Sequence, residues 1–135
     1  MKKILFLLTI GIIFNVINTI AQTADSVKVD EEIIYIFAEQ MPEFVGGESK
    51  METYFNRNII YPQEALKNKI EGKVIVTFII EKDGSTSNIE VVKKLGWGID
   101  EEAIRLISKM PAWRPGKLEG RLVRIRFTLP IVFNL

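Results

Sequence analysis

A chain of 135 residues, 47% of them hydrophobic, is long enough for one globular domain and a short appendage. Its 18 basic and 17 acidic residues leave a net charge of +1, which argues against nucleic acid as a partner. The absence of Cys and His excludes thiolate nucleophiles, disulfides, imidazole bases and Cys/His zinc sites, so carboxylates, hydroxyls and lysines remain for any chemistry.

Lys2 and Lys3, the apolar run from Ile4 to Phe14, and the small-x-small triplet Thr19, Ile20, Ala21 predict an export signal over residues 1–21. The competing reading is an uncleaved inner-membrane anchor through residues 4–20, a run at the lower edge of a membrane span. Asn15 and Asn18 interrupt that run, which favours cleavage before Gln22 and a periplasmic location. A cysteine lipid anchor is ruled out, and the mature chain of about 114 residues must hold together through its own core.

Residues 22–38 read as a flexible lead that ends in a short strand, with polar and charged residues to Glu32 and then Ile33, Ile34, Tyr35, Ile36 and Phe37. Met41 and Pro42 end the strand, and Gly46 with Gly47 makes a turn. Met51, Tyr54 and Phe55 fall on one face of a short helix from Glu48 to Asn56. Pro62 suits the first position of another, with Ala65, Leu66 and Ile70 as its apolar side. From Lys73 to Glu81 a strand alternates, with Val74, Val76, Phe78 and Ile80 inward, while Ile75 and Ile79 on the other face predict that this face is also partly covered. Asp83 and Gly84 close a hairpin. The return strand turns Ile89, Val91 and Leu95 inward, and Val92 with Lys93 breaks its alternation.

After the loop Gly96, Trp97, Gly98, Asp100 is positioned to cap a helix, with Ile99 and Ile104 packing as a staple across the cap. Ile104, Ile107 and Met110 form its expected buried stripe, Glu101, Glu102 and Lys109 match the helix dipole, and Pro111 stops it. The last strand, Leu122 to Phe133, sets Val123, Ile125, Phe127, Leu129, Ile131 and Phe133 against Arg124, Arg126 and Thr128, and Pro130 belongs on an edge or at a bulge. The sum is an α+β domain: a three-stranded antiparallel sheet ordered as hairpin, helix, strand, with two helices on one face, plus a short N-terminal strand and helix.

No constellation of polar residues converges on catalysis. Glu31 with Glu32, and Glu101 with Glu102, are sequence neighbours whose carboxyls cannot face each other across the ~5–9 Å that glycoside hydrolysis needs. Asp83 lacks the further oxygen ligands of a calcium loop, so neither a metal nor a cofactor is expected. Trp113, between Pro111 and the Pro115, Gly116 turn, reads as packing at the end of the core. Trp97, flanked by glycines, is the better candidate for contact with a ligand or partner. Arg121, Arg124 and Arg126 have two readings: charges that protect a sheet edge from aggregation, or an edge prepared for an incoming strand.

The order of Tyr61, Pro62, Ala65, Ile70, Gly72, the strand residues Val74, Val76 and Phe78, the Asp83, Gly84 turn, Asp100, Glu102, Ala103, Met110, Pro111, Trp113, Pro115 and Gly116 resembles the C-terminal domain of TonB. TonB is the energy transducer that links the inner-membrane proton motive force to outer-membrane transporters. Glu39, Gln40, Met41, Pro42, Glu43, Phe44, Gly46 and Gly47 look like the lead-in of one branch, so the resemblance spans residues 39–135. It implies a non-enzymatic periplasmic domain in transmembrane transport whose last strand pairs with a short segment, the TonB box, of an outer-membrane transporter or another envelope protein. On that resemblance Arg121 to Leu129 is the partner edge, with Leu122, Arg124, Arg126 and Thr128 supplying selectivity. A second copy of the chain is a competing occupant of the same edge. The alternative function is a structural or peptidoglycan-binding envelope domain that uses Trp97 and the basic row.

The sequence departs from full-length transducers in having no proline-rich spacer: residues 22–60 reach at most ~130 Å even fully extended. Asn58, Ile59 and Ile60 stand where some members have a Gln, Pro contact region, and Val45 stands where the branch often has proline.

Overall fold

The computed structural model describes residues 32–135, and residues 33–135 form one compact unit. The expected export signal and most of the expected lead lie outside the described residues. Among the described residues no helix is long and apolar enough to cross a membrane.

The chain runs β1 (Ile34–Tyr35), α1 (Glu48–Asn58), α2 (Gln63–Lys67), β2 (Gly72–Ile80), β3 (Thr86–Lys93), α3 (Ile99–Ser108), β4 (Gly116–Leu118) and β5 (Arg121–Phe133). The sheet order is β1-β5-β2-β3; β4 lies off this path, paired to β5 on one side and bridged to Gln40 through Lys117 on the other. The expected antiparallel unit of three strands is its centre: β2 pairs with β3 on one side and with β5 on the other, from Gly72 opposite Phe133 to Ile80 opposite Ile125. Two pairings were not foreseen. β1 joins β5 in parallel, Ile34 opposite Arg124 and Tyr35 opposite Ile125. β4 forms a hairpin with β5 through Glu119 and Gly120, whose φ angles of 51° and 75° suit the two-residue turn that joins right-twisted strands. Three residues are too few for alternation to reveal a strand, so the Pro115, Gly116 segment reads in sequence as a turn only.

Alternation in β2 and β5 is realised in full. Val74, Val76, Phe78 and Ile80 are buried against Leu129, Ile131 and Phe133, and Ile99, Ala103, Leu106 and Ile107 of α3 close over them. Met51, Tyr54 and Phe55 of α1 pack on the same cluster, although no residue of α1 is fully buried. Ala65 of α2 is buried whereas Leu66 is exposed. On the opposite face of β2, Ile79 is also buried and Ile75 is half-buried, as the apolar interruptions of that face anticipate. The broken alternation of β3 has a physical cause in bulges: Val76 faces Val91 while Ile75 faces Lys93, which leaves Val92 extra, and Asn88 takes φ 46° where the register slips again.

The start of α3 corrects the sequence reading. Gly98, in the left-handed region at φ 80°, occupies the N-cap, and Asp100 does not cap the helix. Its carboxylate instead accepts hydrogen bonds from the Leu95 and Gly96 amides, each at 2.9 Å, and so ties down the preceding loop. With the helix starting at Ile99, the inward stripe is Ile99, Ala103, Leu106 and Ile107, the i, i+4, i+7, i+8 pattern. Ile104 falls off that face and is exposed, so there is no staple.

The loop before β4 docks on the β2–β3 turn. The Trp113 amide donates to the Gly84 carbonyl at 2.9 Å, and a Cβ on Gly84 would lie 2.0 Å from the Trp113 carbonyl oxygen. Gly84 also sits at φ 85°, so glycine is required both for conformation and for close approach. Trp113 is buried, edge-on to Phe44 with ring centroids 5.5 Å apart, and 5.1 Å from Phe127. Its role is packing at one end of the core, as expected.

The placement of α3 gives a direct test: Ile99→Ala should cost roughly 2–5 kcal/mol of stability in denaturant titration, and Ile104→Ala no more than about 0.5 kcal/mol. Equal losses would contradict the helix register.

Candidate functional site

The two edges of β5 differ. With the two-residue Glu119, Gly120 loop, Leu118 and Arg121 form the closing hydrogen-bonded pair, so odd-numbered residues of β5 direct their backbone groups toward β4 and then β2. Even-numbered residues direct theirs to the outer edge. Pro130 belongs to this second set, where its missing N–H costs the β2 ladder nothing and the register opposite Ile75 runs on unbroken. β1 covers the outer edge at Arg124 and Ile125. Among the described residues, no strand pairs with that edge from Arg126 to Phe133.

The sequence candidates separate on this frame. Leu122, Arg124, Arg126 and Thr128 project their side chains to the face away from the helices, in one row with Pro130 and Val132; the core-facing residues alternate with them. Arg126 stands opposite Ile79 and Thr128 opposite Thr77. Arg121 and Leu122 are exposed and lie within the β4 hairpin. Arg126 and Thr128 are exposed beside the uncovered edge. Trp97 is elsewhere, on the loop that follows β3 at the far side of the sheet.

Arg124 is not a free cation. Its Nε and Nη2 donate to the two carboxylate oxygens of Glu81 at 2.7 and 2.9 Å, and both side chains are about three-quarters or more shielded from solvent. Ser87 donates to the same carboxylate. The Arg124 hydrogen bond outweighs burial and holds the Glu81 carboxyl below its ordinary pKa. Sequence reading grouped Arg124 with the partner-facing arginines because an ion pair across 43 residues leaves no local signal.

A second ion pair, unforeseen, sits beneath the α1–α2 connection. Glu102 is buried, takes bidentate hydrogen bonds from Arg105 and accepts from the Ile60 amide at 2.8 Å. Arg105 in turn donates to the Asn58 carbonyl at 2.7 Å. Glu102 thus does more than complement a helix dipole: it holds the Asn58, Ile59, Ile60 segment against α3.

Residues 57–135 match the family model for the Gram-negative bacterial TonB protein C-terminal region. The chain belongs to this family. TonB C-terminal domains are non-enzymatic transducer domains of the cell envelope that serve TonB-dependent transport. Two solution structures of the Helicobacter pylori TonB C-terminal domain are similar to this chain. One is 28% identical, with a TM-score of 0.48, covering 64% of this chain and 78% of that one. The other is 26% identical, with a TM-score of 0.43, covering 64% of this chain and 90% of that one. No match was found among curated proteins. The TonB family match begins inside α1, so the Gln40 to Glu43 segment that bridges to Arg114 and Lys117 lies before it.

The Arg124–Glu81 pair of this TonB domain sets a pH dependence. A carboxyl whose folded pKa is lowered stabilises the fold fully above its unfolded value, 4.5 for glutamate, and loses that contribution as pH falls through the lower folded value. Wild type should therefore exceed Glu81→Gln in stability at pH 7, and the two denaturation midpoints should converge as pH is lowered from 4.5 toward acid. A difference that is constant with pH would exclude the ion pair as its source.

Proposed function

We propose that this TonB C-terminal domain binds a peptide strand of an outer-membrane transporter, a TonB box, or of another envelope protein, by adding it to the outer edge of β5. The single observation that carries the reading is the stretch of that edge left unpaired among the described residues, where the backbone groups of Arg126, Thr128 and Val132 and the carbonyl of Pro130 face outward. Backbone hydrogen bonds to an added strand supply affinity, and the flanking side chains supply choice. Arg126 and Thr128 contribute most directly. Leu122 and Arg124 lie on the same face but beside the stretch that β1 occupies, and Arg121 lies in the β4 hairpin. In this reading the domain works in the periplasm and transmits force through a contact that needs no catalytic group.

Thr128→Pro is the discriminating variant. It removes an outward N–H while leaving the β2 ladder intact, and Thr128→Val keeps the amide while removing the hydroxyl. In titrations with transporter N-terminal peptides, followed by backbone amide shifts, Thr128→Pro should bind about tenfold more weakly and Thr128→Val nearly as well as wild type. If no peptide perturbs residues 126–132 of the wild type, edge pairing is wrong. Concentration-dependent shifts there without peptide would point instead to a homodimer.

A second reading, binding of peptidoglycan, rests on Trp97. The ring is 45% exposed on a backbone at φ 58°, between Gly96 and Gly98 that are also left-handed, and Asp100 pins the loop. Such a conformation is costly for a bulky residue, and strained presentation of an aromatic suits a ligand contact. Co-sedimentation with purified cell wall, lost in Trp97→Ala, would support this reading; absence of wild-type sedimentation would eliminate it.

A further inference from the structure

The uncovered edge of β5 does not stand alone: α1 runs beside it. Glu48, Met51, Glu52 and Phe55 form one wall of a groove of about 380 Å³, and β5 from Leu129 to Val132 forms the other. The two sides of the edge differ in chemistry. Met51 and Phe55 present apolar surface, Glu48 and Glu52 are exposed carboxylates on its rim, and among the described residues no Lys or Arg lines the groove. Across the strand, on the face away from the helices, the exposed side chains are Arg126, Thr128, Pro130 and Val132, with Arg126 the cation of the row and Lys73 opposite Val132. A strand added at this edge would turn alternate side chains to these two unlike surfaces.

We infer that the edge selects an extended segment of two-faced pattern, with apolar and cationic side chains on the α1 side alternating with acidic or polar side chains on the Arg126 side. This inference rests on the edge-pairing reading and adds the chemistry of the partner. Charge complementarity commits the groove to a peptide of this kind: Glu48 and Glu52 favour cations in the groove, and Arg126 and Lys73 favour anions on the other face. A period of two is the only spacing that presents side chains to the groove and to the opposite face at once. The pairing is short, because β1 closes the edge at Ile125 and Pro130 offers an acceptor without a donor.

The test compares two seven-residue peptides of one composition in titrations of the labelled protein. The first alternates Leu or Lys with Asp or Thr, and the second carries the same residues in blocks. The patterned peptide should shift the amides of Arg126 to Val132 and of Glu48 to Phe55, and bind about fivefold more tightly than the blocked one. Doubling the salt should narrow this gap. The double variant Glu48→Lys, Glu52→Lys changes only exposed positions and should lose the preference for cationic groove residues. Equal affinity for the two peptides, or shifts in β5 without shifts in α1, overturns the inference and leaves edge pairing standing. No shift in β5 with either peptide or with transporter peptides overturns both. Self-association at the same residues identifies a second copy as the occupant and likewise overturns it.

Discussion

The arrangement depends on a mismatch of strand length. β5 has 13 residues and β2 has 9, and the register between them consumes β5 from Ile125 onward. The four residues before Ile125 overhang the sheet, and an overhanging strand must find other partners or expose its backbone to water. β4 takes one side of this overhang, and β1 touches the other at its end. Ala38, Val123 and Ile125 form a second small core beneath it, with Tyr35 and Leu118 packed around them. Among the described residues, the outer edge beyond Ile125 is left unpaired by the same geometry.

That uncovered edge is protected by ordinary means. Pro130 withholds a donor, Arg126 places charge beside it, and β1 caps one end, all devices that discourage indiscriminate sheet extension. These features do not oppose a binding role. In the proposed binding role, an edge that is short and flanked by unlike surfaces would accept one strand while resisting open-ended assembly. The arginines themselves divide the work: Arg124 is committed to Glu81 and stiffens the sheet, and Arg126 remains at the surface.

Stability is spread across three connections between distant parts of the chain. The Trp113 loop seats on Gly84, the Glu102–Arg105 pair binds the end of α1, and Asp100 closes the loop after β3. The Tyr54 hydroxyl adds a fourth, donating to the Leu106 carbonyl at 2.7 Å, and burial raises its pKa. Each satisfies backbone groups at a helix end or a turn, where an orphaned donor or acceptor would be expensive.

Much of this was legible in the residues. Alternation placed the helix-facing core residues of β2 and β5, because a period of two against a buried face leaves little freedom. Asp83 with Gly84 marked the hairpin, and the ordered punctuation from Tyr61 to Gly116 identified the family. The start of α3 was misread because Asp100 carries the same local signal whether it caps a helix or a loop. The tertiary structure alone decided which edge of β5 is left unpaired among the described residues, that Arg124 is committed to Glu81, and that α1 walls a groove beside Pro130. Local sequence encodes which face of a strand is apolar, since that is a property of neighbouring side chains. It does not encode which strand comes to lie alongside, because that is settled by pairings between residues far apart in the chain.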